Sequence, residues 1–497
     1  MNYLIGIDVG TSSTKAILID ENGKVMLTES EKYPMYQPHN GWAEQKPEDW
    51  KKAAFTVIKR LVKNSKLKSS DIKAIGLTGQ MHGLVMLDEN GSVLMPSIIW
   101  CDQRTEKEVD EMLDVFPKKK WINITANPPL TGWTLAKILW VRNNRPEIYE
   151  KCRHILLPKD YIRYELTGVF ATDVSDASGM QLMDIRRRDW SDEILNRFKI
   201  DEKMLGKMHE SFEVTGSLKA DIAKELGLSK DTLVVAGAGD NAAAAVGLGV
   251  VKKNRGFISI GTSGVVFVHT DNPIVDMGGR VHTCCHAVPG AWHVMGVTQA
   301  AGQSLKWLRK EIISLGDYDL MNEYVEEIPA GADKLIYLPY LMGERTPHLD
   351  PNLRGVFFGL SGIHSKKHML RAAMEGVAYS FRDCKEVLSQ MGINTDEMLI
   401  CGGGAKNNIW CEIVADNYKS ILKKPESEEG PAMGAAILAG VGSGVFESLE
   451  KACERIVKIK EEISYNKDNA VIYDDYYKLY KKLHDDLKED FDLLAGL

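Results

Sequence analysis

The chain has 497 residues, 44% of them apolar, enough for two sizeable cores, since single cores rarely outgrow about 250–300 residues. Its 62 basic and 69 acidic side chains leave a formal charge of −7, which argues against nucleic acid or an anionic membrane as the main partner. The eight cysteines lack a repeated Cys-x-x-Cys pair, Asp8 interrupts the first apolar run, and no apolar stretch is long enough to cross a bilayer, so a reduced, cytoplasmic protein is expected.

Tyr3 to Val9 reads as a strand, Gly10-Thr11-Ser12-Ser13 as a tight turn and Lys15 to Ile19 as the returning strand. Such a tip offers backbone N–H groups and small side chains to a phosphate, although turns of this composition also simply connect strands. Pro47-Glu48-Asp49 opens a helix through Val62, with proline first and acids in the first turn. Ile72 to Leu77 is a strand leading into Thr78-Gly79-Gln80-Met81-His82-Gly83, a polar loop of the kind that carries binding residues. His82 reads equally well as a histidine that satisfies its own loop. Helices are expected over Thr134–Arg142 and Ser217–Leu226.

Strand Thr232 to Ala236 then runs through Gly237-Ala238-Gly239 to Asp240, which heads a run of small helix formers. Asp240 stands at or near an N-cap, where a carboxylate accepts backbone N–H groups and complements the helix dipole. A helix cap and a catalytic base are both open readings of it. After a connector with three basic residues, Gly256 to Phe267 repeats the opening plan: an apolar strand, Gly261-Thr262-Ser263 and a second strand. Self-similarity half a chain apart reads as two domains built alike, with hairpin tips facing across a cleft. A helix over Ala301–Ile313, a strand at Lys334–Leu338 and a helix over Lys366–Ser389 follow. Strand Met398–Cys401 enters Gly402-Gly403-Gly404, where backbone can approach a ligand closely, and a helix starts at Asn407. His282-Thr283-Cys284-Cys285-His286 is poorly spaced for zinc and reads as buried loop. Tyr476, Tyr480, Leu483, Leu487 and Phe491 form a helical stripe suited to core packing.

Several of these stretches together resemble the FGGY carbohydrate kinase family. Gly132-Trp133-Thr134-Leu135-Ala136-Lys137-Ile138-Leu139-Trp140-Val141-Arg142-Asn143-Asn144 is similar to its first pattern. Gly355-Val356-Phe357-Phe358-Gly359-Leu360, continuing through His368, Ala372, Ala373 and Glu375, is similar to its second. Gly79 to Gly83, Gly343-Glu344-Arg345-Thr346-Pro347-His348 and Gly239-Asp240-Asn241-Ala242-Ala243 resemble the branch that acts on ketopentoses. Ala238 departs from it, standing where relatives often carry glycine.

The resemblance implies an α/β, two-domain, actin-like ATPase (ribonuclease H-like) fold with an interdomain cleft. It divides into 1–249, which binds sugar, 250–442, which holds the adenosine pocket, and a helical extension, 443–497, packed on the second domain. It implies ATP-dependent phosphorylation of D-xylulose to D-xylulose 5-phosphate. The alternatives are another ketose or polyol, or an actin-like ATPase or sugar-sensing regulator. Asp240 would be the general base. Met81, His82 and Asn241 would hold the sugar with it, and Asp8 would place magnesium, directly or through water. Gly10, Thr11, Ser12, Ser13, Gly261 and Thr262 would cradle the phosphates, while Gly302, Gly404 and Asn408 would contact the adenosine. A homodimer is the family-level expectation. Closure over the sugar would keep water from ATP.

Overall fold

The computed structural model describes residues 1–316, 318–427 and 429–497. The first half is built on the strands β1 (Tyr3–Val9), β2 (Ser13–Asp20), β3 (Val25–Lys32) and β4 (Ile72–Gly79). It is completed by β5 (Val214–Ser217), β6 (Leu233–Val235) and the two-residue β7 (Ala238–Gly239). Their order across the sheet is β5-β6-β4-β1-β2-β3, with β7 continuing alongside β4. β1 and β2 form the expected antiparallel hairpin, with Asp8 opposite Lys15, and β1 pairs in parallel with β4, with Asp8 beside Thr78.

The second half repeats the plan. β8 (Gly256–Ile260), β9 (Gly264–Thr270), β10 (His282–Cys285), β11 (Trp292–Thr298), β12 (Glu397–Cys401), β13 (Ile421–Pro425) and β14 (Ile459–Ile463) lie in the order β10-β11-β9-β8-β12-β13-β14. The run β11-β9-β8-β12-β13 matches β3-β2-β1-β4-β6: a hairpin, a third antiparallel strand on one side and two parallel strands on the other. Alignment of the two Gly-Thr-Ser tips puts Ser259 where the first half has Asp8.

Among the helices are α1 (Pro47–Ser65), α2 (Thr134–Asn144), α3 (Pro158–Thr167), α4 (Asp240–Gly247), α5 (Gly302–Trp307), α6 (Lys366–Gln390), α7 (Asn408–Tyr418), α8 (Gly430–Gly442) and α9 (Lys467–Ala495). The halves meet along α4 and α8, two helices of small residues. A Cβ on Gly434 would lie 1.8 Å from the Ala243 carbonyl oxygen, and one on Gly76 would lie 1.8 Å from that of Ala435. Only hydrogen fits at either position, so α8 is drawn from the second half onto α4 and the first sheet. Lys15 of β2 adds an ion pair to Glu429, just ahead of α8, at 2.5 Å.

Several local expectations shift. Ser217 ends a strand rather than starting a helix, and that helix begins at Ala220. The Ala301–Ile313 helix starts at Gly302 and widens after Trp307 into one π turn, Leu308–Ile312. His282 to Cys285 is a buried strand, not loop, because it pairs along β11. The terminal stripe is core as expected and also includes Tyr473 and Tyr477, which pack with Tyr480, Leu483 and Phe491 against Leu338, Tyr340 and Tyr379. Among the described residues, no helix is long and apolar enough to cross a membrane.

Candidate active site

Asp8 and Asp240 converge because β1, β4 and β7 run side by side and end together: Val9 pairs with Gly79, and Gly79 with Gly239. Gly237 makes the step between β6 and β7. It has φ 81°, and a Cβ there would lie 2.0 Å from the Leu77 carbonyl. Asp240 is the first helical residue, one place past the N-cap, which is Gly239. Its Oδ1 accepts the Asn241 backbone N–H at 2.7 Å and the Asn241 Nδ2 at 2.9 Å. No described residue bonds Oδ2. Burial pushes the Asp240 carboxyl up to about 6, with both Asn241 hydrogen bonds opposing.

Asp8 is pushed up to about 7 by burial first and by the Asp240 charge second, with Lys15 opposing. Its Oδ1 is buried and accepts no hydrogen bond from a described residue. A carboxylate oxygen in that state suits a hard cation that takes few protein ligands and completes its shell with phosphate oxygens and water. Among the described residues no three His, Cys, Asp or Glu side chains gather to hold a metal unaided.

The Met81–His82 loop packs directly on this point. A Cβ on Gly239 would meet Met81 at 3.0 Å. His82 sits at φ 67° and bonds the Gly179 carbonyl through Nδ1 at 2.8 Å, while its own carbonyl accepts from Thr134 Oγ1 at 3.1 Å and Lys137 Nζ at 2.8 Å. A carbonyl only accepts, so Nδ1 carries the proton and Nε2 is left as an acceptor. The ring stacks on Trp133, centroids 4.7 Å apart. Burial pushes its pKa down to about 3, keeping it neutral.

A cavity of about 490 Å³ runs from Asp240 and Asn241 along α4 to Phe257 and Ser259 of β8, and on to Cys401, Gly402, Gly403 and Lys406. Gly402 has φ 88°, while a Cβ on Gly403 would meet nothing within 4 Å, so its backbone is open to a ligand. A Cβ on Gly404 would run into Ile260 and Trp410, so only glycine fits there, and Asn408 accepts from Lys424 Nζ. Both adjoin the cavity wall, Gly404 between Gly403 and Ala405 and Asn408 beside Lys424. Gly302 belongs with the second hairpin: its N–H donates to the Gly261 carbonyl at 2.9 Å, and Gln303 N donates to that of Thr262 at 3.0 Å. In the first hairpin Gly10 N bonds Ser13 O at 3.1 Å, closing the tip around Thr11 and Ser12, and Thr11 Oγ1 receives the Trp100 indole at 2.9 Å.

Sequence reasoning missed a buried ionic cluster beneath Asp240. Lys159 Nζ lies 2.6 Å from Asp160, 2.8 Å from Asp173 and 3.4 Å from Asp176. Burial alone would lower the Lys159 pKa, but the three carboxylates raise it above its ordinary range. Arg163 joins Asp160 at 2.8 Å and donates to the Ala236 carbonyl at 3.0 Å. Ser175, bonded to Asp173 at 2.5 Å, receives the Gly239 N–H at 3.1 Å. Both ends of the turn that presents Asp240 are thereby tied to the cluster. No periodicity flags it, since its members are charged residues at positions that look exposed.

Two hairpin-led sheets of the same order, with a cavity that runs from Asp240 to the second sheet, make an actin-like ATPase fold. Models of the FGGY family of carbohydrate kinases match the chain in both halves, the N-terminal domain over residues 3–247 and the C-terminal domain over 256–443. The chain belongs to this family. It is 40% identical over 489 residues to a xylulose kinase of Bacillus subtilis, covering 98% of each chain. It is also 40% identical over 492 residues to a xylulose kinase of Lactococcus lactis, again covering 98% of each. The crystal structure of a xylulose kinase from Rhodospirillum rubrum superposes with a TM-score of 0.92 at 29% identity, over 99% of this chain and 100% of that one. Sugar kinases of this family use ATP, generally with a divalent metal.

Proposed function

We propose that this protein phosphorylates D-xylulose at its terminal hydroxyl, giving D-xylulose 5-phosphate and ADP. The observation that carries the proposal is Asp240. One of its oxygens is held twice by Asn241, the other bonds no described residue, and Asp240 lines the cavity one residue after Gly239, on which Met81 packs. A sugar hydroxyl is a weak nucleophile at neutral pH, so a positioned base must accept its proton as the oxygen attacks the γ-phosphorus. The new P–O bond forms as the β–γ bridging bond breaks, the bond electrons leave with ADP, and the proton passes to Asp240 Oδ2. A carboxyl with its pKa near 6 is ionised at pH 7 yet more basic than an ordinary aspartate.

Met81 and His82 would bound the sugar. Asn241 gives one amide N–H to Asp240, orienting the base, and keeps its second N–H and its Oδ1 for the sugar. Asp8 would hold magnesium, directly or through water. Magnesium, when bound, neutralises phosphate charge during transfer. The tips Gly10–Ser13 and Gly261–Ser263 would cradle the phosphates, and Gly404 and Asn408 would contact the adenosine together with Gly402, Gly403 and Lys406 of the cavity wall.

The test is ADP release measured across D-xylulose, other pentuloses, hexuloses and polyols, with phosphorus NMR of the product. D-xylulose should give the highest kcat/KM, with phosphate on C5. If a different ketose or polyol leads, the substrate assignment is wrong. If no sugar raises ADP release above the sugar-free rate, the kinase reading itself fails.

A further inference from the structure

On the second-half side of the cleft, opposite Met81 and His82, stand two groups that the reaction as described does not use. His282 opens β10 and lies against Trp133, ring centroids 5.6 Å apart, on the same indole that stacks His82. Its Nδ1 faces Asn127 Oδ1 at 3.1 Å. The Asn127 amide nitrogen is fixed by donation to the carbonyls of Thr125 at 3.0 Å and Thr283 at 2.8 Å, so the atom facing His282 is an acceptor. His282 therefore carries its proton on Nδ1 and, like His82, is left with Nε2 as a bare acceptor. The two neutral imidazoles flank one tryptophan from opposite halves of the chain.

Arg345 is the second group. The loop that bears it is pinned on both sides. Glu344 accepts from Thr298 Oγ1 at 2.5 Å and from the backbone N–H groups of Gln299 and Arg345 at 2.8 Å each. Thr346 exchanges hydrogen bonds with Val297 and donates to the Arg280 carbonyl at 2.8 Å, just ahead of β10. Between these anchors the Arg345 guanidinium makes no hydrogen bond or ion pair to any described residue. Its charge acts on both His82 and His282, helping to keep both rings neutral after burial. A half-buried guanidinium without a partner is an unusual expense for a fold unless a ligand supplies acceptors.

We propose that His282 and Arg345 form the second wall of the sugar pocket and set its specificity. Arg345 donates to hydroxyl or carbonyl oxygens at the end of the sugar remote from Asp240, and His282 accepts from a neighbouring hydroxyl. An open-chain ketose offers both kinds of group there, a carbonyl acceptor beside a hydroxyl that donates. Because Met81 and His82 lie in the first half and His282 and Arg345 in the second, the bound sugar ties the halves together. This rests on reading the pocket as the sugar site.

The test is initial-rate kinetics with sugar and ATP varied separately, on the wild type and on Arg345→Ala, Arg345→Lys and His282→Gln. Removing a charge-assisted hydrogen bond to a bound sugar should raise the sugar KM of Arg345→Ala about 10- to 100-fold, with the KM for ATP within about twofold of wild type. Arg345→Lys should recover part of the loss, which a purely structural role would not predict. His282→Gln, which keeps a polar group against Asn127, should change the ranking among ketoses and polyols more than it changes the rate with the best one. If the wild type phosphorylates a sugar and both Arg345→Ala and His282→Gln keep its KM and ranking, the inference is overturned while the kinase reading stands. If the wild type shows no sugar-dependent ADP release or sugar binding, both fall.

Discussion

Asp240 divides its work between its two oxygens, and that division explains why a plain helix-start residue can serve as a base. Oδ1 is fixed by Asn241, Oδ2 bonds no described residue, and burial rather than a specific acidic partner is the first cause of its raised pKa. The active form is the ionised one, so kcat/KM should fall as pH drops through about 6, and the fall should be absent from what activity remains in Asp240→Asn. Linkage has the opposite sign. The folded pKa lies above the unfolded value of 3.8, so the folded state holds the extra proton between about 4 and 6, and stability from this group is lost as pH rises through that window. Thermal melts should therefore find Asp240→Asn more stable than wild type at pH 8, with the gap closing toward pH 4. The sequence pointed to Asp240 and Asp8 because both end apolar strands before glycine-rich turns. It could not show Lys159, Arg163 and Asp173 holding the turn, nor that Phe257, Ser259 and Lys424 would share a cavity wall with Asp240. Those facts depend on which strands become neighbours.

Glu375 shows how a residue inside a family pattern can be structural. It lies fully inside α6, where its Oε1 accepts from Arg371 Nε at 2.7 Å, Tyr473 OH at 2.9 Å and Gly331 N at 3.1 Å. The cluster ties α6 to α9. Glu375→Ala would leave the buried Arg371 uncompensated and should cost about 3–5 kcal/mol in denaturant unfolding, while Glu375→Gln, which keeps an acceptor, should cost less. The contact between α4 and α8 makes a sharper demand. Gly434→Ala forces a methyl into a 1.8 Å gap before the Ala243 carbonyl, so it should destabilise by about 3 kcal/mol or more, beyond the usual range for overpacking. Helix periods and hairpin turns made most elements legible. The exceptions have local causes: a π turn after Trp307, and a strand at His282–Cys285 that only pairing with β11 makes regular.

The repeated strand order is what turns two weak Gly-Thr-Ser signals into one cleft. Each tip alone is an ordinary turn, but the two stand at equivalent positions in two like sheets, and Ser259, the counterpart of Asp8, lines the same cavity as Asp240. The halves touch through α4, α8 and the Lys15–Glu429 pair, and again where β10 and β11 meet the first half through Asn127, Ser178 and Ile185, so any closure must turn one sheet against the other about these contacts. Small-angle scattering should report a smaller radius of gyration with sugar and a non-hydrolysable ATP analogue together than with neither, and equal profiles would remove closure from the account. Proton removal by Asp240 is the central chemical step. The direct measurement is single-turnover phosphoryl transfer from ATP to D-xylulose by Asp240→Asn, with sugar affinity measured on the same protein. The expected result is a rate about 10²–10⁴-fold below wild type with sugar affinity retained. A variant that binds sugar normally and transfers phosphate at the wild-type rate would contradict it.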